Sequence, residues 1–227
     1  MQLDSRLLTL AFMVPKGYKI ADIGTDHAYL PIYLISHDIC PKVIATDLRP
    51  GPLKRAKEHV QNFNLSDKIE LRLGEGLEPI APGEVDAVVI AGIGGETIAR
   101  ILQKSKAVAE GLKRIIIQPM TNQPKLRKML FEMGYQIIDE KVAVDDGIYY
   151  EIIVVQRGFQ GSFDDVDVEI GPILKEKKEP VIEEYLRSRL SKLEKLIDKL
   201  KHTQSLYAIQ ALKEYKRRIA ILKEVLK

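Results

Sequence analysis

Over its first 158 residues the chain alternates short, strand-like apolar runs with amphipathic stretches of helical period, and few folds accommodate that order. The runs are "KIADIG", "KVIATDL", "IELRLG", "VDAVVIAGIGG" and "RIIIQPM". Between them, stretches such as "GPLKRAKEHVQNFNL" repeat apolar residues at helical spacing, here Leu53, Ala56, Val60 and Phe63. Further helices are predicted through Leu30, Ile32, Leu34 and Ile35, over 96–105 and around 124–133. Runs such as 85–90 and 115–117 suit strands covered on both faces. The pattern predicts a doubly wound α/β sheet, mostly parallel. Its last pair, "YQIIDEKVAVDDGIYYEIIVVQRG", turns over Asp145, Asp146 and Gly147 and predicts an antiparallel hairpin closing the sheet.

After Pro180 the period changes. Ile182, Leu186, Leu190, Leu193, Ile197 and Leu200 form one apolar seam, and Leu206, Ile209, Leu212, Tyr215, Ile219 and Leu222 form a second. Neither seam is interrupted by glycine or proline, and a break falls near His202 and Thr203. Two long helices in a coiled-coil-like antiparallel hairpin are predicted over 175–227. The Gly- and Asp-rich stretch 159–174 reads as a linker or covering loop, leaving 1–158 as the α/β domain.

The net charge of +3 conceals a segregation. Residues 175–227 hold 15 Lys+Arg against 8 Asp+Glu, whereas 1–174 hold 20 against 24. The basic end is a candidate surface for a polyanion, with Arg217 and Arg218 as candidate phosphate contacts. A heptad-like hairpin serves equally as an oligomerisation or packing device, so the oligomeric state stays open, with a monomer favoured. No stretch approaches the ~18–20 apolar residues of a membrane span, and "MQLDSRLLTLAFMVPKG" is too mixed for a signal peptide. The single cysteine, Cys40, excludes an intramolecular disulfide and a multi-cysteine zinc site, and no metal is expected. The expected setting is the cytoplasm.

The turn after the first strand, "DIGTDHAY", carries the chemistry. A dinucleotide fold places G-x-G-x-x-G there, because a pyrophosphate must approach bare backbone and a helix N-terminus. Here only Gly24 is kept, and Asp26 stands where the second glycine would be. A carboxylate there repels a pyrophosphate, so NAD and FAD fit poorly. S-adenosyl-L-methionine has no phosphate and carries two positive charges, which carboxylates such as Asp22 and Asp26 can meet directly or through water. Asp47 ends the second strand 25 residues after Asp22, near the ~20 expected of the residue that takes ribose hydroxyls. Each aspartate has a plainer reading as a helix cap. Together, at the ends of consecutive strands, they favour the cofactor. "LGEG" and "AGIGGET", after the third and fourth strands, and "QPM", ending the fifth, supply the remaining rim.

"ADIGTDHAYLP", "ATDLRPGPL", "AGIGG", "QPM" and "DDGIYYEI", followed by a helical hairpin, resemble the bacterial tRNA adenine-22 N1-methyltransferase family over essentially the whole chain. The resemblance implies a Rossmann-like class I methyltransferase sheet, S-adenosyl-L-methionine as donor, tRNA as partner and N1 of an adenosine as acceptor. It also suggests roles. Asp22, Gly24 and His27 shape the methionine end, and Asp47 with Leu48 holds the ribose. Glu75 and Gly76 flank the adenine, and Ala91, Gly92 and Ile93 line the floor beneath the methyl group. Asp26, Tyr29 and Gln118 are the polar groups expected to face the target base. Arg6 reaches the cofactor carboxylate or a phosphate, or else is a solvated charge on the first helix. Of Tyr149 and Tyr150, which alternate on a strand, at most one points into the pocket.

Exocyclic-amine methyltransferases carry an Asp/Asn-Pro-Pro-aromatic motif after the fourth strand, where this chain has "AGIG". That fits a ring nitrogen, whose in-plane lone pair attacks without prior deprotonation. Two alternatives stay open: a methyltransferase of another RNA, a protein or a small molecule, and a non-catalytic Rossmann-like RNA-binding protein.

Overall fold

The computed structural model describes residues 2–201, 203 and 205–227. They divide into two compact units, Met1–Gly161 and Ser162–Lys227.

In the first unit, helix α1 (Ser5–Met13) starts at Asp4, whose carboxylate accepts the Leu7 N–H at 2.6 Å. Strand β1 (Ile20–Ile23), α2 (Tyr29–Ser36), β2 (Val43–Asp47), α3 (Pro50–Asn62) and β3 (Ile69–Leu73) follow. Then come β4 (Ala87–Ile93), α4 (Gly95–Lys104), α5 (Lys106–Ala109), β5 (Arg114–Pro119) and α6 (Gln123–Glu132). The unit closes with β6 (Tyr135–Asp145) and β7 (Ile148–Arg157). Prolines in the first turns of α3 and α6 suit positions whose N–H groups have no intrahelical partner.

The seven strands lie in the order β3-β2-β1-β4-β5-β7-β6. The first five run parallel, and β7 is antiparallel to both β5 and β6. Asp146 and Gly147, at φ 46° and 73°, make the two-residue turn of that hairpin, a conformation matched to the twist of its strands. Every residue of β1 and β2 is buried, as a sheet sandwiched between helical layers requires. One element outruns its prediction. The stretch beginning at Ala91 is placed after the fourth strand by the sequence, yet β4 continues to Ile93, with its register on β5 shifting between Ala91 and Ile93. Behind the hairpin, the fully buried Arg127 of α6 donates from Nε to Glu140 at 2.9 Å and from Nη2 to Glu151 at 2.8 Å.

β2 and β4 flank β1 on opposite sides, so the connections diverge at its carboxyl end. A crevice opens at such a reversal of strand order, which is where open α/β sheets bind ligands.

The second unit begins with α7 (Asp165–Glu169), inside the stretch read as a linker, and continues into α8 (Pro180–Leu200) and α9 (Leu206–Val225), packed as a hairpin. Of the predicted break between them, His202 lies outside the described residues. The α9 seam keeps Leu212, Tyr215, Ile219 and Leu222 at least partly buried and departs from the predicted one in its first turn. Ala208 and Leu222 are buried, whereas Leu206 and Ile209 are 72% and 56% exposed. Ala208, Tyr215 and Leu222 recur every seven residues, and this heptad, opened by a small residue, sets the helix phase. Arg217 and Arg218 are also committed internally. Arg218 donates from Nε to the buried Glu169 at 2.9 Å, where Arg189 pairs as well. Arg217 pairs with Glu214 at 2.9 Å and Asp165 at 2.7 Å. The two arginines picked as phosphate contacts thus tie α9 to α7.

Candidate functional site

A cavity of about 620 Å³ occupies the crevice at the carboxyl ends of β1, β2 and β4. The loop after β1 is drawn there by β2, because the Thr46 carbonyl accepts the N–H groups of Gly24 and Thr25, each at 2.9 Å. Gly24 takes φ 80°, a conformation open to glycine at little cost, and lets the chain turn back over the strand ends. Asp22 is 7% exposed on the cavity wall, and its carboxyl pKa is pushed up to about 6. Burial is the largest cause; Arg6 opposes it and the nearby Asp47 adds to it. Asp47, equally buried, holds the Arg49 N–H through Oδ1 at 2.9 Å.

Twelve of the thirteen predicted site residues line this cavity: Asp22, Gly24, Asp26, His27, Tyr29, Asp47, Leu48, Glu75, Gly76, Ala91, Gly92 and Ile93. Gln118 does not. It is fully buried beneath the floor, where its Oε1 accepts the Gly92 N–H at 3.1 Å and Arg6 Nη1 at 3.4 Å. Expected to face a base, it instead props the floor, because the Gly92 N–H turns toward β5 and needs a buried acceptor. Asp26 is half exposed and already engaged, pairing with Arg55 at 2.7 Å. Glu75 pairs with Lys104 at 2.9 Å. Gly76 sits at φ 56° with Ile101 so close that a Cβ would approach its side chain to 2.9 Å. Leu48, 63% exposed, forms an open lip.

Arg6 lies on the cavity wall, where α1 delivers it, with its guanidinium 5.6 Å from the Tyr150 ring centroid. Neither Tyr149 nor Tyr150 lines the cavity. Several lining residues escaped the sequence reading: Asp4, Thr25, Arg49, Thr97, Arg100 and Ile101 among them. Thr97, Arg100 and Ile101 follow "AGIGG" at helical spacing, a signal that a helical projection of α4 would have exposed. Asp4 and Arg49 carry no such mark, because one caps a helix and the other precedes one.

Five carboxylates (Asp4, Asp22, Asp26, Asp47, Glu75) meet three guanidinium groups (Arg6, Arg49, Arg100) around the cavity. Arg55 and Lys104, outside the lining, already pair with Asp26 and Glu75, so it is the buried Asp22 and Asp47 that suit a cationic ligand and oppose a pyrophosphate. Two buried carboxylates at neighbouring strand ends match an ammonium and a ribose diol, so this donor set fits S-adenosylmethionine.

Comparison with known proteins agrees. A methyltransferase domain family model matches residues 3–153. The tRNA (adenine(22)-N(1))-methyltransferase of Bacillus subtilis is 36% identical over 100% of this chain and 98% of its own length. The crystal structure of the B. subtilis M1A22 tRNA methyltransferase TrmK superposes with a TM-score of 0.89 at 34% identity, covering 100% of this chain and 99% of that one. M. capricolum TrmK, in complex with the cofactor product S-adenosyl-homocysteine, superposes at 0.84 with 29% identity, covering both chains fully. An acidic cofactor crevice on this strand order, matched along its whole length by these relatives, makes the chain a member of the tRNA (adenine(22)-N1)-methyltransferase family.

Proposed function

We propose that this protein methylates N1 of an adenosine in tRNA, position 22 by family membership, with S-adenosyl-L-methionine as the donor. The observation that carries the reading is the acidic rim of the cavity: Asp22 and Asp47 are buried at the ends of β1 and β2, and Asp26 lines the turn where a phosphate-binding fold would present bare backbone. When bound, the donor supplies a methyl group on a positively charged sulfur. Asp22 receives the ammonium of its methionine end, Asp47 takes the ribose hydroxyls, and Glu75 and Gly76 border the adenine.

The N1–methyl bond forms as the sulfur–methyl bond breaks, and the positive charge passes from sulfur to the adenine ring. No base is needed, so the contribution of the chain is positioning and charge complementarity. Tyr29 offers a ring face to the acceptor base, and the Asp26 carboxylate favours the charge the base acquires. His27, expected at the methionine end, stacks on Tyr29 at 5.2 Å and so joins the acceptor side. N1 of a paired adenine is occupied by its partner, so the nucleotide must leave the stack at a cost of a few kcal/mol. The catalytic functions reside in the first unit, and the basic helical hairpin of the second serves as an RNA arm. Such a substrate sets the protein to work in the cytoplasm.

The test is direct. The protein is incubated with methyl-labelled donor and unmodified tRNA, and the labelled nucleoside is mapped. Label on N1 of adenosine 22 is the expected result; label elsewhere, or none, overturns the reading.

A further inference from the structure

The turn that carries Asp26 and Tyr29 is held in an unusual shape from outside the cavity. Asp26 and Ala28 adopt φ 50° and 57°, left-handed values that L residues seldom take, twice within three residues. Ala28 begins α2 without a side-chain cap. Two side chains of α3, one turn apart, reach this segment. Arg55 Nη2 donates to Asp26 Oδ1 at 2.7 Å. His59 Nδ1 lies 3.0 Å from the His27 carbonyl, which can only accept, so that nitrogen carries the hydrogen.

The rings complete the arrangement. His27 and Tyr29 stack at 5.2 Å with planes 10° apart, and His59 lies 5.4 Å from the first and 5.3 Å from the second. His27 and Tyr29 line the cavity; Arg55 and His59 do not. The α3 pair therefore acts through the turn. We infer that Arg55 and His59 are positioning residues for the acceptor half of the site, clamping the 26–29 turn so that the Tyr29 and His27 rings and the Asp26 carboxylate meet a purine base in one fixed geometry.

The clamp suits this reaction. A flipped base stacks on aromatic faces whatever its hydrogen-bonding edge, so ring placement decides whether N1 points at the methyl group. A relaxed turn would still admit the base, but out of line with the methyl group, and a misplacement of about 1 Å costs ~100-fold in rate. Donor contacts at Asp22, inside β1 before the turn, and at Asp47, ending β2, are fixed by the sheet and stay intact.

The inference rests on the proposed methyl transfer, and the experiment separates the two. The full-length chain is assayed for donor affinity by calorimetry and for kcat and KM with unmodified tRNA. Arg55→Ala and His59→Ala are expected to lower kcat by about 10- to 100-fold. Donor Kd should not change, and Arg55→Lys, which keeps a charge for Asp26, should recover much of the rate. Arg55 is half exposed, so its replacement leaves the core packed. A double-mutant cycle supplies the reading that general loss of stability would not give. If Arg55 acts through Asp26, Asp26→Asn with Arg55→Ala is no slower than Asp26→Asn alone. Additive losses, an effect confined to KM for tRNA, or an equal loss of donor affinity would each overturn the clamp. A wild-type protein that leaves tRNA unmethylated would overturn the proposed function instead.

Discussion

Asp22 shows how one position couples burial to chemistry. A carboxyl pKa of about 6 means that burial disfavours its charge until a cation arrives. In the ligand-free protein the folded form binds this proton more tightly than the unfolded chain does. The group therefore weakens folding fully above pH 6, and that penalty is relieved as pH falls toward the ordinary carboxylate range. Donor binding runs the other way, because the ammonium favours ionised Asp22. Affinity should be greatest near pH 7 and fall about tenfold by pH 5, with proton release on binding in the lower range. Calorimetry across that interval, in buffers of different ionisation enthalpy, checks both; a flat profile to pH 5 would detach Asp22 from the ammonium. Asp47 makes a different claim. Asp47→Ala removes a charged acceptor worth about 1.5–3 kcal/mol per hydrogen bond, so donor Kd should rise by at least tenfold. An unchanged Kd would give the ribose to another residue.

The second unit sorts its basic residues by partner. Lys175, Arg189, Arg217 and Arg218 pair with the acids of α7 and its flanks, so part of the positive excess is spent within the unit. Counted over 162–227, the balance is 15 Lys+Arg against 12 Asp+Glu. Lys192, Lys195 and Lys199 differ: they are exposed, lie at i, i+3 and i+7 of α8, and make no ion pair among the described residues. These are the side chains expected to meet phosphate. Replacing all three by Gln should weaken tRNA binding and reduce the log–log salt slope by ~2–3 units. Arg218→Gln should instead leave the slope alone and destabilise the unit by about 2 kcal/mol, through loss of a charged bond to buried Glu169. Titrations at several salt concentrations, with thermal melts alongside, distinguish the two. Reversed outcomes would return the RNA footprint to Arg217 and Arg218.

For the molecule as a whole, the first unit carries 20 Lys+Arg against 20 Asp+Glu over residues 1–161, and every residue lining the cavity. A chain ending at Gly161 should therefore bind the donor as the full chain does while losing most methylation of tRNA. Circular dichroism and a donor titration establish first that the shortened chain is folded. If it then methylates tRNA at the full rate, the second unit has no part in recognition.

Much of this was written along the chain. Strand and helix periods follow from local alternation, so the doubly wound sheet, its closing hairpin and the α8–α9 pair were legible before any contact was known. Asp22 and Asp47 were legible too, because residues at strand ends need only the strand assignment to be placed at one rim. What the sequence left undecided depends on neighbours distant along the chain. Gln118 sits at a rim position, yet the Gly92 N–H across the strand claims it for the floor. Arg217 and Arg218 look free in a basic run, but Asp165 and Glu169, some fifty residues earlier, take their charge. Arg55 and His59 carry no motif at all. Their meaning arises where α3 passes the turn after β1, about 30 residues away, and folding brings their donors within 3.0 Å of Asp26 and the His27 carbonyl. Local periodicity sets which elements form, whereas the satisfaction of buried polar groups is settled by three-dimensional proximity.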